Sequence, residues 1–367
     1  MADRGTRRGP PTIYDVAAEA GVAPSTVSRT FARPGRVSAE TAARIREVAD
    51  RLGYRANPMA RALSTSQSRM VALMVADVTN PVFAAMIRGA QAQAAEDGFV
   101  VLLEDARESG AVEREALERV LPVVEGIVLG GSRMPDSTIR TLAKQVPLIV
   151  LNRDVAGVLS VVTDNARGMR RAVEHLGGLG HDSLVYVSGP EASWADGARV
   201  RAFREAGHEL QLATRATRHH APTVAGGVAA AREMLDAATG PPTAVVAYND
   251  LMAIGVMRAL QDAGVAVADD VSVVGFDDIL VSQLVSPPLT TVAAPLRAMG
   301  ETAVQNLLAV VRGAQPHAER AFVLPARLVV RGSTAHRRRK RTSPALGTTR
   351  VSGSAESASR STSSGER

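Results

Sequence analysis

Small polar side chains and one arginine are concentrated in a short stretch near the amino terminus. Ser25, Thr26, Ser28 and Arg29 surround Val27, which the periodicity of the segment turns inward. An arginine can make two hydrogen bonds to guanine, and hydroxyls near a helix start can bind phosphate. The spacing therefore fits a helix that reads DNA. An ordinary solvated helix face explains the same residue types equally well.

A second set of polar side chains follows buried strands of the predicted body. Carboxylate, amide and guanidinium groups around one aromatic plane suit a polyhydroxylated ligand such as a sugar, and strand ends are where doubly wound sheets bind ligands. Simpler roles stay open: Asp250 can cap a helix, Asp278 can face solvent and Trp194 can lie at a rim. The candidates are Asp77, Ser132, Asn152, Trp194, Arg199, Asn249, Asp250, Asp277 and Asp278.

Signals for catalysis are thin. Gly130-Gly131 after a strand forms neither a dinucleotide fingerprint nor a phosphate-binding loop, and no nucleophile elbow is present. His219-His220 has no evident third metal ligand, while His175 and His181 are expected to cap a helix or face solvent. The chain has no cysteine, which excludes disulfides and thiolate metal sites. We therefore expect no enzyme, no cofactor and no metal.

Three short helices are predicted to position the amino-terminal cluster. Thr12 begins the first, with Asp15 completing a capping box, and Gly21 ends it. The second begins at Pro24 and runs to about residue 32, and the third begins after Ser38 and stops before Gly53. A tight turn between the first two helices is typical of a helix-turn-helix.

The body alternates short apolar runs with helical patterns, which predicts parallel sheets in two doubly wound lobes. A helix over about 295–312 and a strand over about 321–330 close the pattern. The predicted strands before them span 70–75, 99–103, 126–129, 148–151, 183–187, 244–247 and 271–276.

Charge is unevenly divided along the 367 residues, whose net charge is +6. Residues 1–65 hold eleven Lys and Arg against six Asp and Glu, and residues 336–367 hold eight against two. A basic head on an acidic body indicates that the head meets a polyanion. Neither a membrane span nor a signal peptide is evident, so the expected location is the cytoplasm.

Several motifs together resemble the lactose-repressor (LacI/GalR) family. In the headpiece the resemblance is carried by Thr12 to Ala17, Ala20-Gly21-Val22, Ser25 to Arg29, Val37-Ser38, Thr41, Leu52-Gly53-Tyr54 and Asn57-Pro58. In the body it is carried by Asp77-x-x-Asn80-Pro81, residues 126–129, Tyr248-Asn249-Asp250, residues 270–278 and residues 287–292. Ala23 and Ala32 depart from the headpiece pattern, where Ser and Asn are common.

The resemblance implies specific roles in DNA binding. Positions matching Pro24, Ser25 and Arg29 lie against base edges, and those matching Thr12, Thr26, Ser28, Ser38 and Thr41 lie near phosphates. In the hinge, Leu63 would wedge into the minor groove at the centre of a palindromic operator and kink the duplex. Asn57, Ala60 and Arg61 would flank it. A hinge helix this short is expected to order only on DNA.

For the body, the resemblance implies a periplasmic-binding-protein-like domain that binds a small effector. Arg199, Asn249 and Asp277 are the implied contacts, with Phe83, Asn152 and Trp194 as weaker ones. Effector binding would move the lobes and change the separation of the two hinges in a homodimer. We expect a dimeric repressor, although a sugar-binding protein without regulation and an effector-independent DNA binder are further alternatives.

The expected organisation has five parts. A basic disordered arm spans 1–11, the helix-turn-helix headpiece 12–56, and the hinge helix with its linker 57–69. The bilobed domain spans 70–334, with lobe 1 at about 70–163 and 294–320 and lobe 2 at about 164–293 and 321–334. A basic, serine-rich disordered tail spans 335–367; it either adds salt-sensitive DNA affinity or is simply solvated.

Overall fold

The computed structural model describes residues 10–32, 35–55, 67–237, 242–315 and 321–337. Its amino-terminal part has three helices: α1 (Ile13–Ala20), α2 (Pro24–Ala32) and α3 (Ala39–Leu52). Gly21 ends α1 at φ 66°, a left-handed conformation that glycine adopts without steric cost. The predicted helix bounds are therefore confirmed.

A small apolar core joins these three helices. Each helix contributes one or two large buried side chains, none more than 5% exposed. They are Val16, Val27, Ile45 and Val48. Together with Ala17, Ala20 and Ala49 of the same core they form an apolar stripe at helical spacing on α1 and on α3. We call this three-helix unit the headpiece.

The first lobe is built on an all-parallel sheet in the order β11-β5-β4-β3-β1-β2. Its helices pack on both faces and bury two apolar clusters. The strands are β1 (Met70–Val75), β2 (Val100–Asp105), β3 (Gly126–Gly130), β4 (Leu148–Leu151), β5 (Ser160–Thr163) and β11 (Phe322–Leu324); the helices are α4 (Pro81–Glu96), α5 (Gly110–Val120), α6 (Asp136–Ala143) and α11 (Leu296–Val311).

The second lobe repeats this plan in the order β12-β10-β9-β8-β6-β7. All pairs are parallel except the antiparallel pair of β12 with β10. The strands are β6 (Ser183–Val187), β7 (Ala213–Ala216), β8 (Ala244–Ala247), β9 (Ser272–Asp277), β10 (Thr290–Ala293) and β12 (Arg327–Val329); the helices are α7 (Asn165–Gly178), α8 (Trp194–Glu209), α9 (Val224–Leu235) and α10 (Asp250–Asp262), with a 3₁₀ turn at Leu280–Gln283.

The last predicted strand is wrong in one respect. Instead of one strand over 321–330, the chain forms β11 in the first lobe and β12 in the second. Pro325 lies between them and cannot donate to a strand ladder, so the strand breaks where the chain crosses between lobes. Residues 322–324 therefore belong to the first lobe rather than the second.

The end of the body also differs from expectation. Ala335 donates its backbone N–H to the Ser272 hydroxyl at 3.0 Å, and the Arg337 N–H bonds to the Leu179 carbonyl at 2.9 Å. Arg337 also forms an ion pair with Asp182. Residues 335–337, which were predicted to be tail, are thus held against the second lobe. The predicted arm at 1–9, the hinge at 57–66 and the tail from 338 lie outside the described residues.

Backbone packing sets the distance between helices that support the cleft. A Cβ added at Gly300 of α11 would lie 2.0 Å from the Met86 carbonyl oxygen of α4. In the second lobe a Cβ at Gly255 of α10 would lie 2.1 Å from the Val224 carbonyl oxygen of α9. Only glycine permits such close approach. Among the described residues, no helix is long and apolar enough to cross a membrane.

Candidate functional sites

The outer face of α2 carries the predicted DNA-reading residues. Val27 is fully buried, while Ser25 and Arg29 are exposed and Ser28 is half-buried. Thr26 is also half-buried, and its carbonyl accepts from the Thr30 hydroxyl at 2.9 Å. Pro24 begins the helix and is half-buried. The helix therefore presents hydroxyls and one guanidinium to solvent on a single face.

The flanking threonine and serine residues lie at helix starts. Thr12 donates both its backbone N–H and its hydroxyl to the Asp15 carboxylate, at 2.8 and 2.6 Å. The Ser38 hydroxyl accepts from the Thr41 backbone N–H at 3.3 Å and donates to the Thr41 hydroxyl at 2.9 Å. Helix starts also carry a partial positive charge, so these positions suit an anionic backbone.

Tyr14 is a candidate that sequence reasoning missed. Its side chain is 69% exposed on α1, beside the capping pair of Thr12 and Asp15. The signal was available, because Ile13, Val16 and Ala17 form the inward stripe and leave position 14 outside. The predicted hinge contacts Asn57, Ala60, Arg61 and Leu63 lie outside the described residues.

A cavity between the two lobes collects most of the predicted effector residues. Its empty space, including the open mouth, is about 420 Å³. Both sheets contribute, because the carboxyl ends of their parallel strands face the same cleft. The lining comprises Asn80, Val82, Phe83, Glu108, Gly131, Arg133, Asn152, Ser193, Arg199, Pro222, Tyr248, Asn249 and Asp277.

Arg199 is the centre of this cavity and is only 2% exposed. Its guanidinium donates to the Asn165 side-chain oxygen at 2.9 Å, the Tyr248 carbonyl at 2.5 Å and Asp277 Oδ1 at 3.3 Å. Its face lies over the Phe276 ring, with 3.5 Å between the guanidinium carbon and the ring centroid. A buried charge fixed in this way is pre-organised to bind a ligand oxygen.

Asp277 ends β9 in a left-handed conformation, with φ at 110°. Burial raises the pKa of its carboxyl to about 6, although the charge and hydrogen bond of Arg199 lower it in part. The carboxyl is 4% exposed, so the ion pair with Arg199 is almost fully removed from water. Such strain and a shifted pKa in a cleft are typical of a functional position.

Asn249 and its neighbour Asp250 have different tasks. Asn249 caps α10, accepting from the Met252 N–H at 2.9 Å and donating to the Pro222 carbonyl at 3.1 Å. One interpretation of the sequence was that Asp250 caps a helix, but the residue that caps α10 is Asn249. Its carboxylate accepts from the Ile279 N–H and the Thr291 hydroxyl, and burial raises its pKa well above the usual range.

Asn152 and Phe83 line the cavity from the first lobe. Asn152 has φ at 58°, and its side-chain oxygen is buried with no hydrogen-bond partner among the described residues. A buried unpaired acceptor costs free energy unless something donates to it. Phe83 is 5% exposed and adds an apolar wall. Both residues therefore line the cavity, and their role as effector contacts stays a prediction.

The other sequence candidates lie apart from this cavity lining. Trp194 is half-buried against the second-lobe core, and Ser132 is buried and accepts from the Met134 N–H. Asp77 binds the backbone and hydroxyl of Thr79. Asp278 does not face open solvent: it pairs with Arg331 at 2.6 Å.

Eight of the residues that line the cavity escaped the sequence prediction, and four of these form two polar pairs. Glu108 and Arg133 follow strands of the first lobe, and Ser193 and Tyr248 follow strands of the second. Glu108 Oε2 lies 2.6 Å from Arg133 Nη2, and the Ser193 and Tyr248 hydroxyls are 3.0 Å apart. Their strand-end positions were the available signal.

The histidines take structural positions. His181, expected to cap a helix or face solvent, is instead 3% exposed and contacts the hydroxyls of Thr243 and Ser272 at 3.1 and 3.0 Å. Burial lowers the pKa of His175 and of His181. No group of three or more metal-ligating side chains occurs within the described ranges.

Comparison with known proteins matches both parts of the chain. A family model described as bacterial regulatory proteins, lacI family, matches residues 12–57, and a periplasmic binding protein-like domain matches residues 173–334. The chain is 31% identical over 331 residues to the HTH-type transcriptional repressor CytR of Escherichia coli strain K12, covering 88% of this chain and 96% of that protein.

Solved structures of transcriptional regulators also align with this chain. The lac repressor dimer bound to operator and the anti-inducer ONPF aligns with a TM-score of 0.80 at 29% identity, covering 89% of this chain and all of that one. The complex of the transcriptional regulator CelR with cellobiose aligns with a TM-score of 0.67 at 30% identity, covering 88% and 99%.

Proposed function

Because the chain belongs to the lacI family of bacterial regulatory proteins, we propose that it is a cytoplasmic, dimeric repressor that binds a palindromic operator. It is a DNA-binding transcriptional regulator and not an enzyme. A small polyhydroxylated effector in the interlobe cleft controls its affinity for DNA. The observation that carries the proposal is the joint presence of an outward-facing Arg29 on α2 and a polar, pre-organised cleft around Arg199.

The DNA contacts follow from the exposed face of the headpiece. Ser25 and Arg29 are exposed at the positions that reach base edges when the second helix of a helix-turn-helix enters the major groove. Hydroxyls and helix-start amides at the flanks position the protein on phosphate. The proposed contacts are Thr12, Pro24, Ser25, Thr26, Ser28, Arg29, Ser38 and Thr41, together with the hinge residues Asn57, Ala60, Arg61 and Leu63.

The effector proposal rests on charge balance and an unpaired acceptor. Arg199 is paired with Asp277, and Arg133 with Glu108, so the cleft offers no uncompensated charge to a charged ligand. The unpartnered oxygen of Asn152 needs a hydroxyl donor. Neutral sugars and related metabolites supply such donors. Arg199, Asn249, Asp277, Asn152 and Phe83 are the proposed contacts; Trp194 supports the lobe instead.

Dimerisation is supported by an exposed apolar patch in the second lobe. Leu280 and Leu284, at the 3₁₀ turn, are 71% and 73% exposed, and Val281 between them is 40% exposed. Neighbouring large apolar side chains in solvent mark an interaction surface. A second copy of the chain is the partner that a palindromic operator requires, because protein and site then share a twofold axis.

Regulation follows from two arrangements of the lobes. An effector that contacts both lobes binds one arrangement more tightly and shifts the population towards it. In a dimer this changes how far apart the two DNA-binding ends lie, and operator affinity changes with it.

The test is selection of bound duplexes from a random pool, repeated with a panel of sugars and related metabolites. We expect one enriched palindrome whose binding changes with one compound. Loss of the preferred sequence in Arg29→Ala would support the headpiece assignment. If no sequence is enriched, or if Arg29→Ala selects the same sequence as the parent, the assignment is wrong.

A further inference from the structure

The interlobe cleft consists of two spaces that share a wall. Beyond the inner cavity lies an outer pocket, lined in part by Pro190, Ala192 and Ala221, whose empty space including open solvent is about 750 Å³. Both spaces have polar side chains in their lining, and in the outer pocket these include Asp77, His219 and His220. Glu108, Arg133 and Pro222 line both spaces. These three residues therefore stand between the two spaces.

The wall contains a chain of polar contacts across the cleft. Glu108 Oε2 accepts from Arg133 Nε at 2.7 Å and lies 2.6 Å from Arg133 Nη2. Burial lowers the pKa of Arg133, but its side-chain hydrogen bonds with Tyr248 and Glu108 and the charge of Glu108 raise it by more. The Tyr248 hydroxyl in turn lies 3.0 Å from that of Ser193. The contacts thus run from the first lobe to the second.

Arg133 is held in place from several sides. Its side chain is 8% exposed, and its backbone N–H donates to Glu113 Oε2 at 3.0 Å. Its carbonyl oxygen packs on α5, where a Cβ at Gly110 would lie 3.0 Å from it. A two-point ion pair with Glu108 leaves the guanidinium little freedom. The Arg133 side chain is therefore held in one position between the inner cavity and the outer pocket.

Tyr248 is fixed on the opposite side. Its ring packs against the backbone of Gly189, where an added Cβ would lie 2.5 Å from the ring. The Tyr248 ring also contacts Arg199, whose guanidinium carbon lies 5.0 Å from the ring centroid. Tyr248 cannot move aside without disturbing the centre of the inner cavity. The inner cavity is thus closed on this side by residues of both lobes.

We infer that Arg133 sets the size limit of the effector, so that the protein selects a compact, neutral, single-ring polyol and excludes two-ring sugars. This inference rests on the proposed function of the cleft. A second ring attached to a ligand in the inner cavity would meet the Glu108–Arg133 pair before it reached the outer pocket. Truncation of Arg133 would join the two spaces and admit the longer ligand.

The test compares matched sugars by isothermal titration. The probes are monosaccharides (glucose, galactose, ribose) and disaccharides (cellobiose, lactose, maltose) with the full-length wild type, Arg133→Ala and Arg133→Met. We expect wild type to bind one monosaccharide at least tenfold more tightly than any disaccharide. Arg133→Ala should reduce this preference at least tenfold, while Arg133→Met, which keeps most of the volume, should retain it.

A folding control keeps the test decisive. If Arg133→Ala is unfolded because Glu108 is left unpaired, the double variant Glu108→Gln/Arg133→Ala removes that charge and takes its place. A wild type that prefers a disaccharide, or an alanine variant with unchanged preference, overturns the inference. So does a wild type that binds no sugar of either set. Operator selection, measured on the same preparations, reports separately on the DNA-binding function.

Discussion

The guanidinium carbon of Arg199 lies 3.5 Å from the centroid of the Phe276 ring, and both side chains are 2% exposed or less. The planar cation is thereby stacked while its nitrogens remain available for in-plane hydrogen bonds. Phe276 belongs to β9 and Arg199 to α8, so this stacking ties a helix of the second lobe to the strand end that carries Asp277. The geometry depends on the shape of arginine as well as on its charge.

Replacement of Arg199 by lysine should therefore abolish most of the effector response. An ammonium keeps the charge but cannot stack on Phe276 and donate in three fixed directions. We expect effector affinity to fall at least tenfold in titration calorimetry, with operator binding retained. The control is Arg201→Lys, the same exchange at an exposed position of the same helix. If Arg199→Lys and Arg201→Lys bound the effector with equal affinity, Arg199 would not be an effector contact.

Arg29→Ala should relax operator specificity. A bidentate contact to guanine discriminates between bases by about 1–3 kcal/mol, so affinity for the preferred site should fall roughly 5- to 150-fold. Arg46→Ala is the matched control, because it removes the same charge from an exposed face of α3. That variant should weaken all duplexes equally and keep the sequence preference. Binding curves on the selected and scrambled sites distinguish the two effects.

Effector binding should weaken as the pH falls through about 6. The pKa of Asp277 is raised to about 6, so below that pH the carboxyl is protonated and its ion pair with Arg199 is lost. Titrations between pH 5 and 8 measure the effect, and Asp277→Asn should bind weakly with no inflection near 6. If Asp277→Asn still showed the inflection near pH 6, a group other than Asp277 would be responsible for the pH dependence of effector binding.

The raised pKa of Asp277 also makes the free energy of unfolding depend on pH. The folded carboxyl of Asp277 binds its proton more tightly than the unfolded one, whose ordinary pKa is 3.8. Its contribution to the free energy of unfolding is therefore full below pH 3.8 and is lost as the pH rises through about 6. Urea unfolding at pH 4.5 and 7.5 should show wild type losing stability with rising pH relative to Asp277→Asn.

Two glycine substitutions should change stability in opposite directions. Gly300→Ala places a Cβ 2.0 Å from the Met86 carbonyl, so α4 and α11 must separate at a cost of roughly 1–3 kcal/mol. Gly197→Ala, inside α8, meets nothing within 4 Å and should stabilise the protein by up to about 1 kcal/mol. Urea unfolding measures both, and a harmless Gly300→Ala would contradict the close helix packing.

Leu284→Asp should convert the dimer into monomers. Leu284 is 73% exposed in the apolar patch with Leu280, and a carboxylate there would be buried at a dimer interface without a partner. Sedimentation velocity should show the mass halved and operator affinity reduced. Leu210→Asp is the control, because Leu210 is 41% exposed at the end of α8, away from the 3₁₀ turn. A dimeric Leu284→Asp would place the interface elsewhere.

Local patterns were enough to predict the headpiece and most of the sheets. The bounds of β1, β4, β6 and β8 agree with the apolar runs of the sequence, because strands buried on both faces are continuous apolar segments. Capping residues and glycines marked the helix ends for the same local reason. The strands Ser160–Thr163, Ala213–Ala216 and Thr290–Ala293 were missed, because Ser, Thr or Arg interrupts the apolar run in each of them.

The sequence by itself placed Asn249 and Asp277 at strand ends, and the family resemblance added Arg199 as a third expected contact in the same cleft. Tertiary structure alone decided how the two lobes divide that cleft. Arg133 follows β3 of the first lobe and Tyr248 follows β8 of the second, and no spacing along the chain relates them. The crossing at Pro325 was likewise decided by which sheet edge each half of the segment meets. Contacts of this kind depend on how distant segments dock, and a local pattern carries no information about that docking.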